Sequence, residues 1–308
     1  MPPRRLRSAL SAVLITLSCL LVPFGALAAW AAYGLADTGR YVTAMAPLAA
    51  DPAVREAVAD TVGDGLLRAV DQHLDVRPAP GPVRPFVRDA VRSFTHTRAF
   101  RLAWDTGNRV THDAVLRALR GRDEHAVTID LAPVTAQVKR QLTHDHVPLA
   151  ARIPVEHTAV AVLPAARLTA LRKGFHVLEV AGSWLPAASV AFAVGGIALA
   201  VRRRRAVAAT ALGTALGGAL LVLALRVGRA LTLADLPAGV SHGAAGAVYD
   251  ALTGPLRDAA WLLLGLGLTV ALTAWLTRRP RPHRTARHRQ APPAPAPAPA
   301  PTPTRARA

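Results

Sequence analysis

The chain has 308 residues, 52% of them hydrophobic, and a formal net charge of +18 at pH 7. Its apolar runs of about 18 or more residues exclude an ordinary soluble protein and are typical of a membrane protein. Cys19, the only cysteine, lies within the first of these runs. A single cysteine cannot form an intramolecular disulfide, and its place within an apolar run excludes a cysteine nucleophile outside the membrane.

The positive charge is concentrated in three arginine-rich segments that contain no acidic residue. Every Asp and Glu lies between Asp37 and Asp258, whereas residues 1–7, 202–205 and 278–308 together hold 15 arginines. Basic residues beside a span resist translocation, so we predict that these segments lie in the cytoplasm. We also expect them to contact anionic lipid headgroups. The excess of Arg over Lys is typical of a GC-rich genome, and we expect no binding to nucleic acid.

The first predicted span covers residues 10–33 and has two interpretations. In one, it is a cleaved signal peptide, with an apolar core from Leu10 to Val22 and a small-residue cleavage site that ends at Ala28. The apolar stretch continues beyond Ala28, however, and Trp30 and Tyr33 suit the outer headgroup interface. We therefore favour the second interpretation, an uncleaved signal anchor.

Three further apolar runs predict a four-span protein of the bacterial plasma membrane with both termini in the cytoplasm. Arg202–Arg205 would form the cytoplasmic tip of a tight hairpin between the second and third spans. The predicted spans contain no Asp, Glu, Lys, Arg or His, which disfavours a proton-coupled transporter. The predicted layout is cytoplasmic at 1–9, 202–205 and 277–308, spanning at 10–33, 184–201, 206–225 and 259–276, and extracytoplasmic at 34–181 and 226–258. We predict that the Pro/Ala-rich end of the last cytoplasmic segment is disordered.

Several glycines recur at close spacing within the last three predicted spans. Small residues at such spacing allow helix backbones to approach closely. The alternative interpretation is that glycine is simply frequent in this composition. The glycines concerned are Gly195, Gly196, Gly213, Gly217, Gly265 and Gly267.

The predicted fold is mainly α, with four transmembrane helices and a mainly helical extracytoplasmic domain that contains a minor β element. Asp51-Pro52 predicts a helix start. The longest helical pattern outside the spans runs from Arg98 to Arg120, with Gly121 expected to end it in the left-handed conformation. Residues 127–131 and 157–163 read as short strands, and residues 241–252 as a short helix in the second extracytoplasmic loop.

Trp104, Asn108, Arg109 and His112 are the strongest candidate site residues. In a functional interpretation they form a binding face, where Asn and Arg donate to an anionic or carbonyl group and His responds to pH near neutrality. In a structural interpretation Trp104 lies in a core, while Asn108 and His112 hydrogen-bond to neighbouring backbone. We favour the structural interpretation, because aromatic stripes at helical spacing usually belong to cores.

His144 and His146 could place two imidazoles toward one cation. Zinc requires three or four ligands with fixed geometry, and no third ligand follows at a recognisable spacing. We therefore predict no metal site and no cofactor. The pair is kept only as part of an alternative interpretation.

Several motifs resemble a group of uncharacterised integral membrane proteins from actinobacteria. The resemblance covers most of the chain up to the last span and implies the topology and domain architecture given above, but no activity. The motifs are Tyr41-Val42, Pro47-Leu48-Ala49, Asp51 to Val54, Phe100, Trp104, Asn108-Arg109, His112, Val127 to Val134, Val138-Lys139, Leu142 and the Arg tetrad.

Taken together, these patterns favour a protein that displays an extracytoplasmic domain for binding or scaffolding in the cell envelope, and not an enzyme. Its expected partners are the lipid bilayer, anionic lipids at the Arg clusters and an envelope protein. The alternative is a membrane-anchored, metal-dependent envelope hydrolase that uses His144 and His146.

Overall fold

The computed structural model describes residues 4–73, 83–121, 127–130, 132–145, 155, 159–163, 165–237 and 239–277. The described chain is mainly helical, which confirms the predicted class. The predicted tail beyond Thr277 lies outside the described residues, and so does His146. In chain order the elements are α1 (Arg4–Ala29), a π-helical turn (Trp30–Leu35), α2 (Thr38–Met45), a 3-10 turn (Ala46–Ala50), α3 (Pro52–His73), α4 (Val83–Thr95), α5 (Arg98–Arg120), β1 (Val127–Asp130), α6 (Ala132–His144), β2 (Ala159–Leu163), α7 (Ala165–Leu199), α8 (Arg203–Ala234) and α9 (His242–Leu276).

Four of the described helices are long and apolar enough to cross a membrane, which confirms the predicted number. The candidate spans are Arg4–Leu35, Leu171–Leu199, Arg203–Ala234 and His242–Leu276. We call residues 36–170, between the first two candidate spans, the inter-span region.

The helices of the spans extend well beyond the apolar runs that marked them in the sequence. The stretch predicted as a loop at 226–258 is largely helical, since α8 continues to Ala234 and α9 already begins at His242. The predicted short helix at 241–252 is therefore not separate but forms the first turns of α9. An ion pair joins the two helices in this stretch, with Arg229 Nε 3.0 Å from Asp250 Oδ1. Hydropathy marks only the apolar part of a helix, and backbone hydrogen bonding continues through the polar residues on either side.

Small residues bring the spans into close contact. A Cβ atom on Gly218 of α8 would lie 2.7 Å from the carbonyl oxygen of Ala260 in α9. One on Gly267 of α9 would lie 2.5 Å from the carbonyl oxygen of Ala211 in α8. By contrast, a Cβ on Gly265 would meet nothing within 4 Å. Some of these glycines therefore allow close helix contact, as Gly267 does, whereas others such as Gly265 have no packing role.

Helix α1 packs against α7 and α8. Ser11 Oγ donates to the carbonyl of Gly196, and Ser18 Oγ to the carbonyl of Ser189, each at 2.7 Å. Such backbone acceptors are expected for hydroxyl groups between membrane-spanning helices, because a bilayer core offers no water. Gly213 of α8 faces Cys19 of α1 so closely that a Cβ there would overlap the sulfur.

Local sequence signals explain most helix ends in the inter-span region. Asp51 begins α3 as predicted, with its carboxylate 2.9 Å from the amide nitrogen of Ala53. Asp130 similarly accepts from the amide of Ala132 at the start of α6, at 2.9 Å. The prediction for Gly121 was wrong. Gly121 has an extended backbone, with φ −77° and ψ 169°, so the chain leaves α5 without a left-handed turn. Strands β1 and β2 pair antiparallel, with Asp130 opposite Ala159 and Val127 opposite Leu163.

The core of the inter-span region is shared with α9. Met45, Leu48 and Val54 are buried there, with Trp104 packed against them. The same cluster includes residues from the first turns of α9, namely Ala244, Ala247, Val248, Ala251 and Leu252. The region therefore packs on the end of a span.

Substitution of Gly267 tests the close contact between α8 and α9. We expect Gly267→Ala to destabilise the full chain by about 1–3 kcal/mol, because the added methyl meets rigid backbone atoms of α8. The measurement is the melting temperature of the purified protein in detergent. Gly265→Ala is the matched control, and its melting temperature should not fall. Equal effects of the two substitutions would show that the contact contributes nothing.

Candidate functional site

The candidate site lies where the first span joins the inter-span region. The chain leaves α1 through the π-helical turn and enters α2 after Asp37. The carboxylate of Asp37 caps α2 by accepting from the amide of Arg40 at 2.8 Å. The cap fixes the direction in which Thr38 and Tyr41 face α5.

Trp104 is half-buried against the shared core. Its indole nitrogen donates to the carbonyl of Met45 at 2.9 Å. Phe100, one turn earlier on α5, is buried and packs edge-on against Phe94 of α4, with ring centroids 6.1 Å apart. Trp104 therefore joins α5 to the end of α2, and Phe100 joins α5 to α4.

His112 connects α5 to the turn that follows the first span. Its Nε2 lies 2.9 Å from the carbonyl oxygen of Leu35, and its Nδ1 lies 3.0 Å from Thr38 Oγ1. Because a carbonyl only accepts, Nε2 carries a proton in this contact. The imidazole also stacks on Tyr41, with ring centroids 4.2 Å apart and an interplanar angle of 19°.

Thr38 extends this contact to a carboxylate. Its hydroxyl donates to Asp113 Oδ1 at 2.6 Å, a distance typical of a hydrogen bond to a charged acceptor. Leu35, His112, Thr38 and Asp113 therefore form one connected polar chain between the span and α5.

Asn108 and Arg109 differ sharply, although they are neighbours in the sequence. The Asn108 amide nitrogen donates to the carbonyl of Trp104 at 2.9 Å, and the Tyr41 hydroxyl donates to Asn108 Oδ1 at 3.5 Å. A tyrosine hydroxyl is protonated at neutral pH and can donate, and burial raises the pKa of Tyr41 further above its ordinary value. Arg109 is exposed. The structure thus brings Trp104, Asn108 and His112 together beneath α2 and leaves Arg109 outside this group.

An open cleft of about 950 Å³ lies beside the polar chain. It is bounded by the turn after the first span, the second half of α5 and the start of α6. Its charged lining residues are Asp37, Asp113, Arg117, Arg120 and Asp130.

Arg120 ties the cleft to the base of the second span. Its Nη2 donates to the carbonyl of Ala36 at 3.3 Å and lies 4.0 Å from Glu179 Oε1. The guanidinium carbon also lies 5.7 Å from the centroid of the Phe175 ring. The sequence patterns did not predict this cleft. The signal available was the polar repeat of Asp113, Arg117 and Arg120 along one side of α5.

Of the alternative metal pair, only His144 lies within the described residues. His144 is 81% exposed, and its Nδ1 lies 3.4 Å from Asp145 Oδ1. Gln141 Nε2 donates to both oxygens of that carboxylate, at 2.9 and 3.0 Å. This hydrogen bond and the one from His144 lower the pKa of Asp145 below its ordinary value. Within the described ranges no group of three or more potential ligands surrounds a common point.

In comparisons with known proteins, no family model, no curated protein and no solved structure matches the chain. The resemblance to the actinobacterial membrane proteins therefore stays a prediction. The function has to be argued from the geometry and charge of the chain itself.

Trp104 and Arg109 provide a direct test of which residues on α5 are structural. We expect Trp104→Ala to destabilise the full chain by about 3 kcal/mol, since it removes a large packed aromatic ring and its hydrogen bond to Met45. Arg109→Ala should leave the melting temperature unchanged, because this side chain is exposed. An unchanged melting temperature for Trp104→Ala would instead favour a binding role for the aromatic face.

Proposed function

We propose that the protein is a four-span protein of the bacterial plasma membrane that displays the inter-span region outside the cytoplasm. In this proposal the region acts by binding or scaffolding in the cell envelope and not by catalysis. Both termini lie in the cytoplasm, and the first span remains attached as a signal anchor.

The orientation is supported by the unequal charge at the two ends of the spans. Arg4, Arg5 and Arg7 lie at the start of α1. Arg202 directly precedes α8, and Arg203–Arg205 form its first turn. The same end includes the C-terminus of α9, since Arg204 Nη1 donates to the carbonyl of Thr277 at 3.3 Å. The inter-span region joins the opposite end. Basic residues favour the cytoplasmic side, so the inter-span region is assigned to the outside.

The observation that carries the scaffolding role is the shared core between the inter-span region and α9. Trp104 and the buried side chains of Met45, Leu48 and Val54 pack on the first turns of α9. The indole nitrogen of Trp30 adds a hydrogen bond to the carbonyl of Leu252, at 3.1 Å. A region held in this way presents its surface at a fixed height and angle above the membrane, as a docking platform requires.

The cleft beside α5 is the best candidate for the binding surface. Both signs of charge line it, which suits a polar polypeptide segment of an envelope protein. Its carboxylates already serve the fold: Asp37 and Asp130 cap helices, and Asp113 accepts from Thr38. Groups committed in this way favour a binding role over general acid–base chemistry.

Cysteine labelling at the two ends of α9 tests the orientation. In a Cys19→Ala background, we expect a membrane-impermeant maleimide to label His242→Cys in intact cells. Thr277→Cys, at the other end of the same helix, should react only after permeabilisation. The reverse pattern would overturn the proposed topology.

Site-specific photo-crosslinking tests the binding surface. A photoreactive residue at Arg117, which lines the cleft, should give a discrete adduct with an envelope protein in living cells. The matched position is Arg109, which is exposed on the same helix and does not line the cleft, and we expect no adduct there. An adduct at Arg109 alone would move the binding surface to the face predicted from the sequence.

A further inference from the structure

A second cleft lies at the opposite end of the spans. It has a volume of about 610 Å³ and is formed by the start of α1, the residues that follow α7 and the start of α8. Four arginines line it, two from each of the first two arginine-rich segments: Arg4, Arg5, Arg202 and Arg205. Segments almost 200 residues apart in the sequence thus supply one basic surface.

The positive charge of this cleft is not neutralised by the part of the chain that the structure describes. None of the four guanidinium groups forms an ion pair with a described residue. In the sequence, no acidic residue precedes Asp37 or lies between Glu179 and Asp235. Like charges that share one cleft repel each other, and a bound anion removes that repulsion.

The start of α8 adds to the attraction for an anion. Arg202 occupies the N-cap position, and no side chain caps the helix there. Free amide groups and the helix dipole both favour negative charge at such an end. This contribution acts on the same cleft as the four guanidinium groups.

The other lining residues are small or apolar, which distinguishes a lipid from a free anion. Ile15, Ala200 and Ala206 form a buried cluster beneath the cleft, and Ala12 and Ala209 also line it. Three hydroxyl-bearing residues, Ser8, Ser11 and Thr16, also line the cleft, and the hydroxyl of Ser11 donates to the carbonyl of Gly196. The cleft is therefore basic at its rim and apolar toward the spans.

We propose that this cleft is a binding site for an anionic phospholipid. The phosphate contacts the arginines and the start of α8, and the acyl chains follow the apolar surface between α1 and α8. The bound lipid bridges the first span and the hairpin of the second and third spans. This inference rests on the proposed membrane insertion of the spans but not on the binding role of the inter-span region, since it concerns the other end of the molecule.

The test uses the purified full chain in nonionic detergent, titrated with dioctanoyl phosphatidylglycerol and followed by native mass spectrometry. The variant Arg5→Gln/Arg205→Gln removes two charges that line the cleft. The control Arg7→Gln/Arg203→Gln removes two charges from the same two segments that do not line it. If the lipid were attracted only by net charge, the two variants would lose the same amount of lipid binding.

We expect the cleft variant to bind at least about tenfold more weakly than the control, because it loses direct charge-assisted hydrogen bonds to phosphate. Phosphatidylcholine and inorganic phosphate should bind the unmodified chain much more weakly than phosphatidylglycerol does. Equal loss in the two variants would overturn the site. Equal binding of inorganic phosphate would overturn the assignment to a lipid.

A second measurement keeps the proposal testable if the variants fold poorly. Photoactivatable phosphatidylglycerol, with the reactive group near the glycerol backbone, is crosslinked to the unmodified chain, and the adducts are mapped by peptide. Adducts within residues 4–16 or 200–209 are expected. Adducts spread evenly over all four spans would contradict a specific site.

Discussion

The inter-span region keeps a fixed position relative to the spans because one helix, α9, packs against both. Its first turns contribute to the core around Met45, Leu48 and Val54. Farther along, Gly267 allows the α9 backbone to meet the α8 backbone directly. Within the same first turns, Asp250 forms an ion pair with Arg229 of α8. Since the helix is continuous, a shift in the membrane contact would also move the core.

The junction after the first span depends on this arrangement. The indole nitrogen of Trp30 donates a hydrogen bond to the backbone of α9. Five residues later, the carbonyl of Leu35 accepts a hydrogen bond from His112 of α5. The turn is therefore held from two sides. Such a turn can support a cleft with defined walls, because its backbone groups are already paired.

The two ends of the spans have opposite chemistry. At one end, acidic and basic side chains alternate around the cleft beside α5, and most of them also bond to backbone. At the other end, arginines line a cleft without any carboxylate from the described chain. The first surface suits a polypeptide with both signs of charge, and the second suits an anion at the lipid surface.

Patterns along the sequence correctly predicted the number of candidate spans, the mainly helical class, the start of α3 at Asp51 and the limits of α5. Hydropathy, capping and helical spacing are properties of neighbouring residues, so they can be read locally. Three features became visible only once the helices were packed. A Cβ on Gly267 would meet α8 whereas one on Gly265 would meet nothing within 4 Å, Arg109 is exposed while Asn108 is not, and Arg5 and Arg205 line one cleft. Each of these depends on which residues distant in sequence meet in space, and the local pattern carries no information about that. The true end of α8 and the true start of α9 were not predicted for a related reason, since polar residues end an apolar run but do not end a helix. The Arg229–Asp250 ion pair and the shared core stabilise these additional helical turns.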